Sequence, residues 1–313
     1  MMNKKVPMRD GYGKALLELC EKRNDVMVLD ADVAKSTRTV WIRDRYPEKF
    51  MDMGIAEQDM VGTAAGMALA GMTPFVSTYG VFLSGRAWDQ IRTTVCYNNL
   101  NVKLAGAHAG ISVGPDGATH QALEDVALMR VLPKMTVIVP CDAEETRKAA
   151  LAMAERKGPC FIRFGREAVP VVTGEETPFE IGKARLCREG TDVTVFANGA
   201  MVYEALQAAE SLTEEGISVQ VIDMHTVKPL DEESVIRATE ETGCIVTAEE
   251  HQIAGGLGSA VAECLVRNHP VPVEMVGTED TFGESGKPEE LMCKYGLTAE
   301  HIAEKVRKAL SRK

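Results

Sequence analysis

The stretch MGIAEQDMVGTAAGMALAG (53–71), followed by TPFVST (73–78), decides how this chain is read. Between 56 and 70 it is built largely of Gly, Ala, Met and Val, with Glu57 in its first turn. Small residues of that kind argue for a helix packed closely against another surface, and the run at 73–78 reads as a strand. The pair is one unit of an alternation along the first half of the chain. Strands are expected at 25–30, 73–78, 102–108, 135–140 and 160–164, with helices at 11–23, 56–70, 86–98 and 142–156. Apolar strands alternating with amphipathic helices imply a mostly parallel sheet covered on both faces.

The pattern breaks in EAVPVVTGEETPFEIGKARLCREGTD (167–192), rich in Pro, Gly and Glu, and then resumes. Strands are expected at 192–197, 218–223, 244–249 and 271–276, and helices at 200–214, 231–241, 256–268 and 298–312. The expected fold class is therefore α/β in two domains, 1–170 and 191–313, joined by a linker at 171–190. At about 150 residues per domain, 313 residues agree with that division. Hydrophobic residues at 45% and charged residues at 26% rule out a disordered or fibrous chain. With 35 Lys+Arg against 46 Asp+Glu the net charge is −11, which argues against a nucleic-acid or anionic-membrane surface. Any phosphate must then be met by a few local Arg or His residues. The eight cysteines lie far apart without a C-x-x-C pair, as expected of reduced core thiols, and no metal ligand set is expected. The N-terminus lacks an apolar signal region and no run approaches the roughly 18 apolar residues of a membrane span. A cytoplasmic location is the resulting expectation.

In open α/β sheets, ligands sit beyond the carboxyl ends of the strands. The first strand runs into Asp30 and Asp32, followed by Ser36 and Thr37. The third ends at His108 and opens the glycine-rich loop HAGISVGPDGATH (108–120); the last ends near Arg163 and Arg166. Asp, His and Arg gathered in one cleft can orient a polyhydroxylated, phosphorylated molecule. Glu57, in the first turn of its helix, complements the helix dipole by a few tenths of a kcal/mol. If desolvated there, it is also a proton-handling group.

GIAEQDMVGTAAGMALAG (54–71), STYGVFLSGRAWDQIR (77–92) and AHAGISVGPDGATHQALEDVALMRVLPKMTVIVPCD (107–142) resemble, in order and spacing, the pyrimidine-binding domain of the transketolase family. The second half resembles that family's C-terminal domain. The resemblance implies thiamine diphosphate chemistry. Glu57 matches the glutamate that hydrogen-bonds the aminopyrimidine ring nitrogen, where an apolar setting would keep it protonated. Tyr79 and Phe82 match aromatic rings packed against the pyrimidine. Asp116 matches the residue reading the donor's C2 hydroxyl and His120 the one at its C1 oxygen, with His108 nearer the phosphate end. Arg166, Arg9 and Ser36 match phosphate-binding positions, and Asp32 a position near the cofactor across a subunit boundary. Gln58 and Asp59 stand where members often carry His two positions after the glutamate, and Gly85 replaces an aromatic that some members use.

Family members hold the diphosphate through Mg2+ bound by a G-D-G motif and a later Asn, and no GDG occurs here. The resemblance thus implies a split enzyme, with Mg2+ and diphosphate held by an N-terminal transketolase subunit and self-association of this one. The activity implied is transfer of a two-carbon ketol unit between sugar phosphates. The alternatives are a portion of a 1-deoxyxylulose-5-phosphate synthase-like enzyme, a 2-oxo acid dehydrogenase beta subunit lacking the sugar-reading loop, and a non-catalytic binding or regulatory subunit of the same fold. GGLGSA (255–260) reads as a tight strand-to-helix turn and not as a dinucleotide fingerprint. His251 and FGESG (282–286) are expected in structural or interface roles.

Overall fold

The computed structural model describes residues 4–313. β1 (Lys5–Pro7) runs into α1 (Met8–Lys22), followed by β2 (Val26–Asp30), α2 (Ala34–Thr37), α3 (Val40–Arg45) and β3 (Phe50–Asp52). The small-residue stretch forms α4 (Glu57–Leu69) and β4 (Thr73–Tyr79). It is followed by α5 (Gly80–Arg86), the single turn α6 (Trp88–Gln90) and a π-helical segment at Ile91–Cys96. β5 (Lys103–Ala107), a 3-10 segment at Ile111–Asp116, α7 (Asp125–Arg130), β6 (Thr136–Ile138), α8 (Ala143–Glu155), β7 (Cys160–Phe164) and β8 (Ala168–Pro170) complete the first half. The second half opens with β9 (Arg185–Arg188), β10 (Val193–Ala197), α9 (Met201–Thr213), β11 (Val219–Asp223), β12 (Thr226–Lys228) and α10 (Glu232–Thr242). It ends with β13 (Ile245–Gln252), α11 (Leu257–Asn268), β14 (Val273–Thr278), α12 (Pro288–Lys294) and α13 (Ala299–Leu310).

The first sheet has seven strands in the order β12-β6-β7-β5-β4-β2-β3, parallel except for the edge strand β12. Its faces are buried alternately. Val76, Leu104 and Phe161 pack on one side with Met60, Val61 and Ala64 of α4. Phe75, Ala105 and Ile162 pack on the other with Leu16 of α1 and Met153 of α8. Burial on both faces is why these strands read as continuous apolar runs. The second sheet, β14-β13-β10-β11-β9, is parallel except for β9. It divides its side chains in the same way, Val195 and Val221 on one face and Phe196 and Ile222 on the other.

Local chemistry explains where the structure departs from the expected elements. The stretch expected as linker ends in β9, which closes an edge of the second sheet. Its beginning is pinned by Asp142, which caps α8 by accepting from the Glu145 amide and also accepts from the Val172 and Thr173 amides. Composition alone made this segment look loose. The helix expected over 86–98 begins instead at Gly80 and is broken into three pieces, because Gly80 lets the chain turn directly off β4 against Ala109 and Ala122. The expected strand 102–108 ends at Ala107, since His108 turns into left-handed backbone at φ 54°. Helices α2, α3, α7 and α12 lie in stretches with no expected helix; each is at most seven residues, too short for the periodicity of a face to show. All eight cysteines are free, and no helix among the described residues is long and apolar enough to cross a membrane.

Candidate functional site

The site assembles where β2, β4, β5 and β7 end. Asp30, fully buried at the end of β2, accepts hydrogen bonds from the Val33 amide (2.7 Å) and from the Thr37 and Thr39 hydroxyls (2.8 Å each). Those bonds shape the loop that carries Asp32 and Ser36. Burial outweighs them and pushes the Asp30 carboxyl up to about 6. Asp32 itself is exposed, with left-handed backbone at φ 61° and its amide donating to Asp52.

A continuous chain of contacts then links most of the expected residues. Arg9 Nη1 donates to the Ser36 carbonyl at 3.3 Å, and the Tyr79 hydroxyl donates to Ser36 Oγ at 3.1 Å. The Tyr79 ring stacks on His108 with centroids 4.5 Å apart and planes 19° apart. Phe82 lies 6.0 Å from Tyr79 and meets His120 edge-on at 5.2 Å. Arg166 donates to the Val113 carbonyl at 3.1 Å and pairs with Asp116 at 3.4 Å. Arg9, Ser36, Tyr79, Phe82, His108 and His120 thus form one chain of contacts, and the Arg166–Asp116 pair lies near enough for Arg166 to act electrostatically on Arg9 and His108.

Three guanidiniums, those of Arg9, Arg38 and Arg166, act electrostatically on this group of residues. Arg38 is paired with Asp10 at 2.6 Å. Arg9 has no carboxylate partner among the described residues, and its buried Nε has no hydrogen-bond partner there. Burial and the neighbouring Arg38 lower its affinity for its own proton, but guanidinium remains charged throughout the physiological range. His108 is buried beside these cations. Burial first, then Arg9, Arg166, Arg38 and His120, push its pKa down to about 3. It is therefore a neutral imidazole at physiological pH, and its buried Nδ1 has no partner among the described residues. Buried polar atoms are ordinarily satisfied, so this orphan stands out as a group left open to a partner.

Glu57 opens α4, buried at 4% exposure, beside an open pocket of about 530 Å3 lined by Ile55, Ala56, Gln58, Asp59 and Arg86. The apolar setting expected for it is incomplete. Arg86 Nη1 lies 3.2 and 3.3 Å from the two carboxylate oxygens, and the same guanidinium covers the Phe82 ring at 4.0 Å. Arg86 therefore joins Glu57 to the aromatic surface. Sequence reasoning missed it; its signal was the RAWDQIR segment, on the helix after β4. A buried carboxyl beside an aromatic ring fits the nitrogen edge and the face of a pyrimidine. The pocket's own charges, Glu57, Asp59 and Arg86, do not compose a diphosphate cradle.

Arg163 does not face the cleft. It is buried, pairs with Asp125 at 3.1 Å and donates to the Glu250 carbonyl at 2.6 Å, tying the two halves together. His251 is likewise structural: its Nδ1 donates to the Gln252 carbonyl and its Nε2 accepts from the Ala127 amide. The GGLGSA turn is closed by its own glutamate. Glu249 accepts from the Leu257 and Gly258 amides, and a Cβ at Gly256 would fall 2.1 Å from that carboxylate. The N-terminus of α11 is thereby filled, which leaves no room for a dinucleotide phosphate. Cys141, Glu145 and Asp223 form a buried cluster elsewhere, but Arg185, 2.9 Å from Asp223, already supplies its positive charge.

Fold and site together define an α/β protein with two sheets, the first of which gathers a buried carboxyl, aromatic rings, histidines and arginines at its strand ends. The family model for the transketolase pyrimidine-binding domain matches residues 4–172, and that for the transketolase C-terminal domain matches 182–302. The chain belongs to the transketolase family. It is 43% identical over 306 residues to a 6-deoxy-6-sulfo-D-fructose transketolase subunit of Clostridium sp. (strain MSTE9), covering 98% of this chain and 95% of that protein. It is 39% identical over 303 residues to an apulose-4-phosphate transketolase subunit of Phocaeicola vulgatus, covering 96% of this chain and 97% of that protein. A split-gene transketolase solved as an inactive β4 tetramer superposes with a TM-score of 0.93 at 49% identity, covering 98% of this chain and 99% of that one. The chain is a transketolase-type subunit, and the family implies use of thiamine diphosphate.

Proposed function

We propose that this chain is the C-terminal half of a two-component transketolase that moves a two-carbon ketol unit from a ketose phosphate to an aldose phosphate. The observation that carries the reading is the single surface on which a buried carboxyl, Glu57, an aromatic pair, a neutral His108 and the Arg9 guanidinium converge. Thiamine diphosphate, when bound, supplies the carbanion chemistry that breaks and remakes the carbon–carbon bond. Every other role falls to side chains. Glu57 hydrogen-bonds the pyrimidine ring nitrogen, and Phe82 and Tyr79 pack the ring. Asp116 orients the donor's C2 hydroxyl and His120 its C1 oxygen. His108, kept neutral by its burial and its cationic neighbours, accepts or donates a hydrogen bond toward the phosphate end without adding charge there. Arg9 and Arg166 bind the phosphate, with the Ser36 hydroxyl beside them.

The diphosphate and its Mg2+ fall to an N-terminal subunit carrying the G-D-G motif, since this sequence contains none and the Glu57 pocket lacks the cations to replace it. Asp32, exposed at the rim, contributes across that subunit boundary. Both named relatives are themselves called transketolase subunits, which supports a partnered assembly. Residues 1–170 then serve as the pyrimidine-binding domain and 191–313 as the C-terminal domain, in a cytoplasmic enzyme acting on pentose-phosphate-type sugars. The test is reconstitution with a roughly 270-residue G-D-G-bearing partner. Ketol transfer that needs both chains, thiamine diphosphate and Mg2+ is expected. A mixed complex without thiamine-dependent transfer overturns the reading.

A further inference from the structure

The loop bearing Asp116 and His120 belongs to the first half of the chain, yet the second half holds it at both ends. At its start, the Ser112 amide donates to Glu250 Oε1 at 2.7 Å. Gly110, left-handed at φ 90°, lies so close that a Cβ would stand 2.2 Å from the same oxygen. At its far side the FGESG segment lies against it. The Ser285 hydroxyl donates to the Pro115 carbonyl at 2.7 Å, one residue before Asp116. Gln121, one residue after His120, donates through Nε2 to the Glu284 carbonyl at 2.9 Å and to the Ile111 carbonyl at 3.1 Å. A Cβ at Gly283 would fall 1.9 Å from Gln121 Oε1, and one at Gly114 would fall 2.9 Å from the Pro288 ring. A side chain at Gly283 would displace the Gln121 amide, and one at Gly114, whose φ is 78°, would meet the Pro288 ring.

We infer that the C-terminal half of the chain is a positioning device for the sugar-reading loop, with the carboxylate of Glu250 and the 282–286 segment as the groups through which it acts. The inference rests on the proposed function only in taking Asp116 and His120 as the residues that read the donor. Asp116 is exposed and His120 half-buried, so core packing does not fix either of them. Beyond the Arg166 pair of Asp116 and the Phe82 contact of His120, the segments beside them are bonded to Ser285 through the Pro115 carbonyl and to Glu284 through Gln121. Ser285 and Glu284 thus act as positioning residues, through the Pro115 carbonyl and the Gln121 side chain.

The test uses Ser285→Ala, with Ser285→Thr as the conservative variant. Ser285 is exposed, so its replacement leaves the core intact. In the full chain alone, amide hydrogen exchange over 111–121 is expected to speed up about fivefold in Ser285→Ala, as loss of one neutral hydrogen bond implies. Exchange over 57–69 should stay unchanged, and Ser285→Thr should restore the wild-type rate. In the complex with the partner subunit, Ser285→Ala should raise the KM for a ketose phosphate by a similar factor at nearly constant kcat, again reversed by Ser285→Thr. Unchanged exchange over 111–121 in Ser285→Ala overturns the inference, and so does an unchanged donor KM in a complex that transfers ketol units. A wild-type complex without ketol transfer would count against the proposed function, while the exchange result would still decide the positioning role.

Discussion

Replacing Glu57 by Gln tests the proposed chemistry with little disturbance of shape. The carboxyl is 4% exposed, but its partner Arg86 is 49% exposed and can turn to water when the charge is lost. A pair with one half-exposed member contributes about 1 kcal/mol or less to folding. The charge at the start of α4 adds roughly 0.3–1 kcal/mol through the helix dipole. Folding should therefore lose about 1–2 kcal/mol, read as a shift in denaturant midpoint at unchanged slope. Catalysis should lose far more. A positioned proton-handling group contributes roughly 100- to 10,000-fold, about 3–5.5 kcal/mol of barrier. The assay is steady-state ketol transfer by the reconstituted complex, with Glu57→Gln and Glu57→Ala compared after assembly and denaturation midpoint have been checked. If either variant assembles normally and turns over within about tenfold of wild type, Glu57 does not handle the catalytic proton.

Further predictions concern the cations, the buried histidine and the junction between the halves. Arg166→Met should lower kcat/KM for phosphorylated donors about 10- to 150-fold, the worth of a charged hydrogen bond, and leave an unphosphorylated donor nearly unaffected; equal losses on both would remove Arg166 from the phosphate site. His108 in the folded chain is pushed down to about 3, below its unfolded value, so the fold favours the neutral ring. That contribution is fully present above about pH 6.5 and is lost as pH falls from there toward 3, by up to about 4 kcal/mol. Asp30, pushed up to about 6, acts oppositely and returns stability as pH falls below 6. Urea titrations between pH 7.5 and 4 should show a shallower acid loss for His108→Asn than for wild type, and parallel curves would contradict the burial argument. Asp125→Ala strands the Arg163 guanidinium in the interior and should cost about 3–5 kcal/mol, measurable by calorimetry; a cost below about 1 kcal/mol would show that Asp125 is not the buried partner that holds Arg163 against the Glu250 carbonyl.

The alternation of apolar strands and amphipathic helices was enough to define an α/β chain with two sheets, because strands buried on both faces must be apolar throughout. The 108–120 loop and Glu57 stood out as site candidates for a different reason: short polar and glycine-rich segments at strand ends have few structural uses. Three-dimensional pairing decided the rest. Nothing in the string 181–190 says that Arg185–Arg188 will close the second sheet, nor that Thr226–Lys228 will leave its own half to edge the first, since strand partners far apart in sequence leave no local pattern. Arg163 and Arg166, three residues apart, looked alike. Burial beside Asp125 made one a tie between halves, and the turn after β7 placed the other beside Asp116. The neutrality of His108, the Arg86 bridge from Glu57 to Phe82 and the hold of Ser285 on Pro115 likewise depend on groups brought together only by folding. Sequence by itself determined which chemical groups this protein can offer; the tertiary structure decided which of them share a low-dielectric surface, where charge and hydrogen bonding acquire their strength.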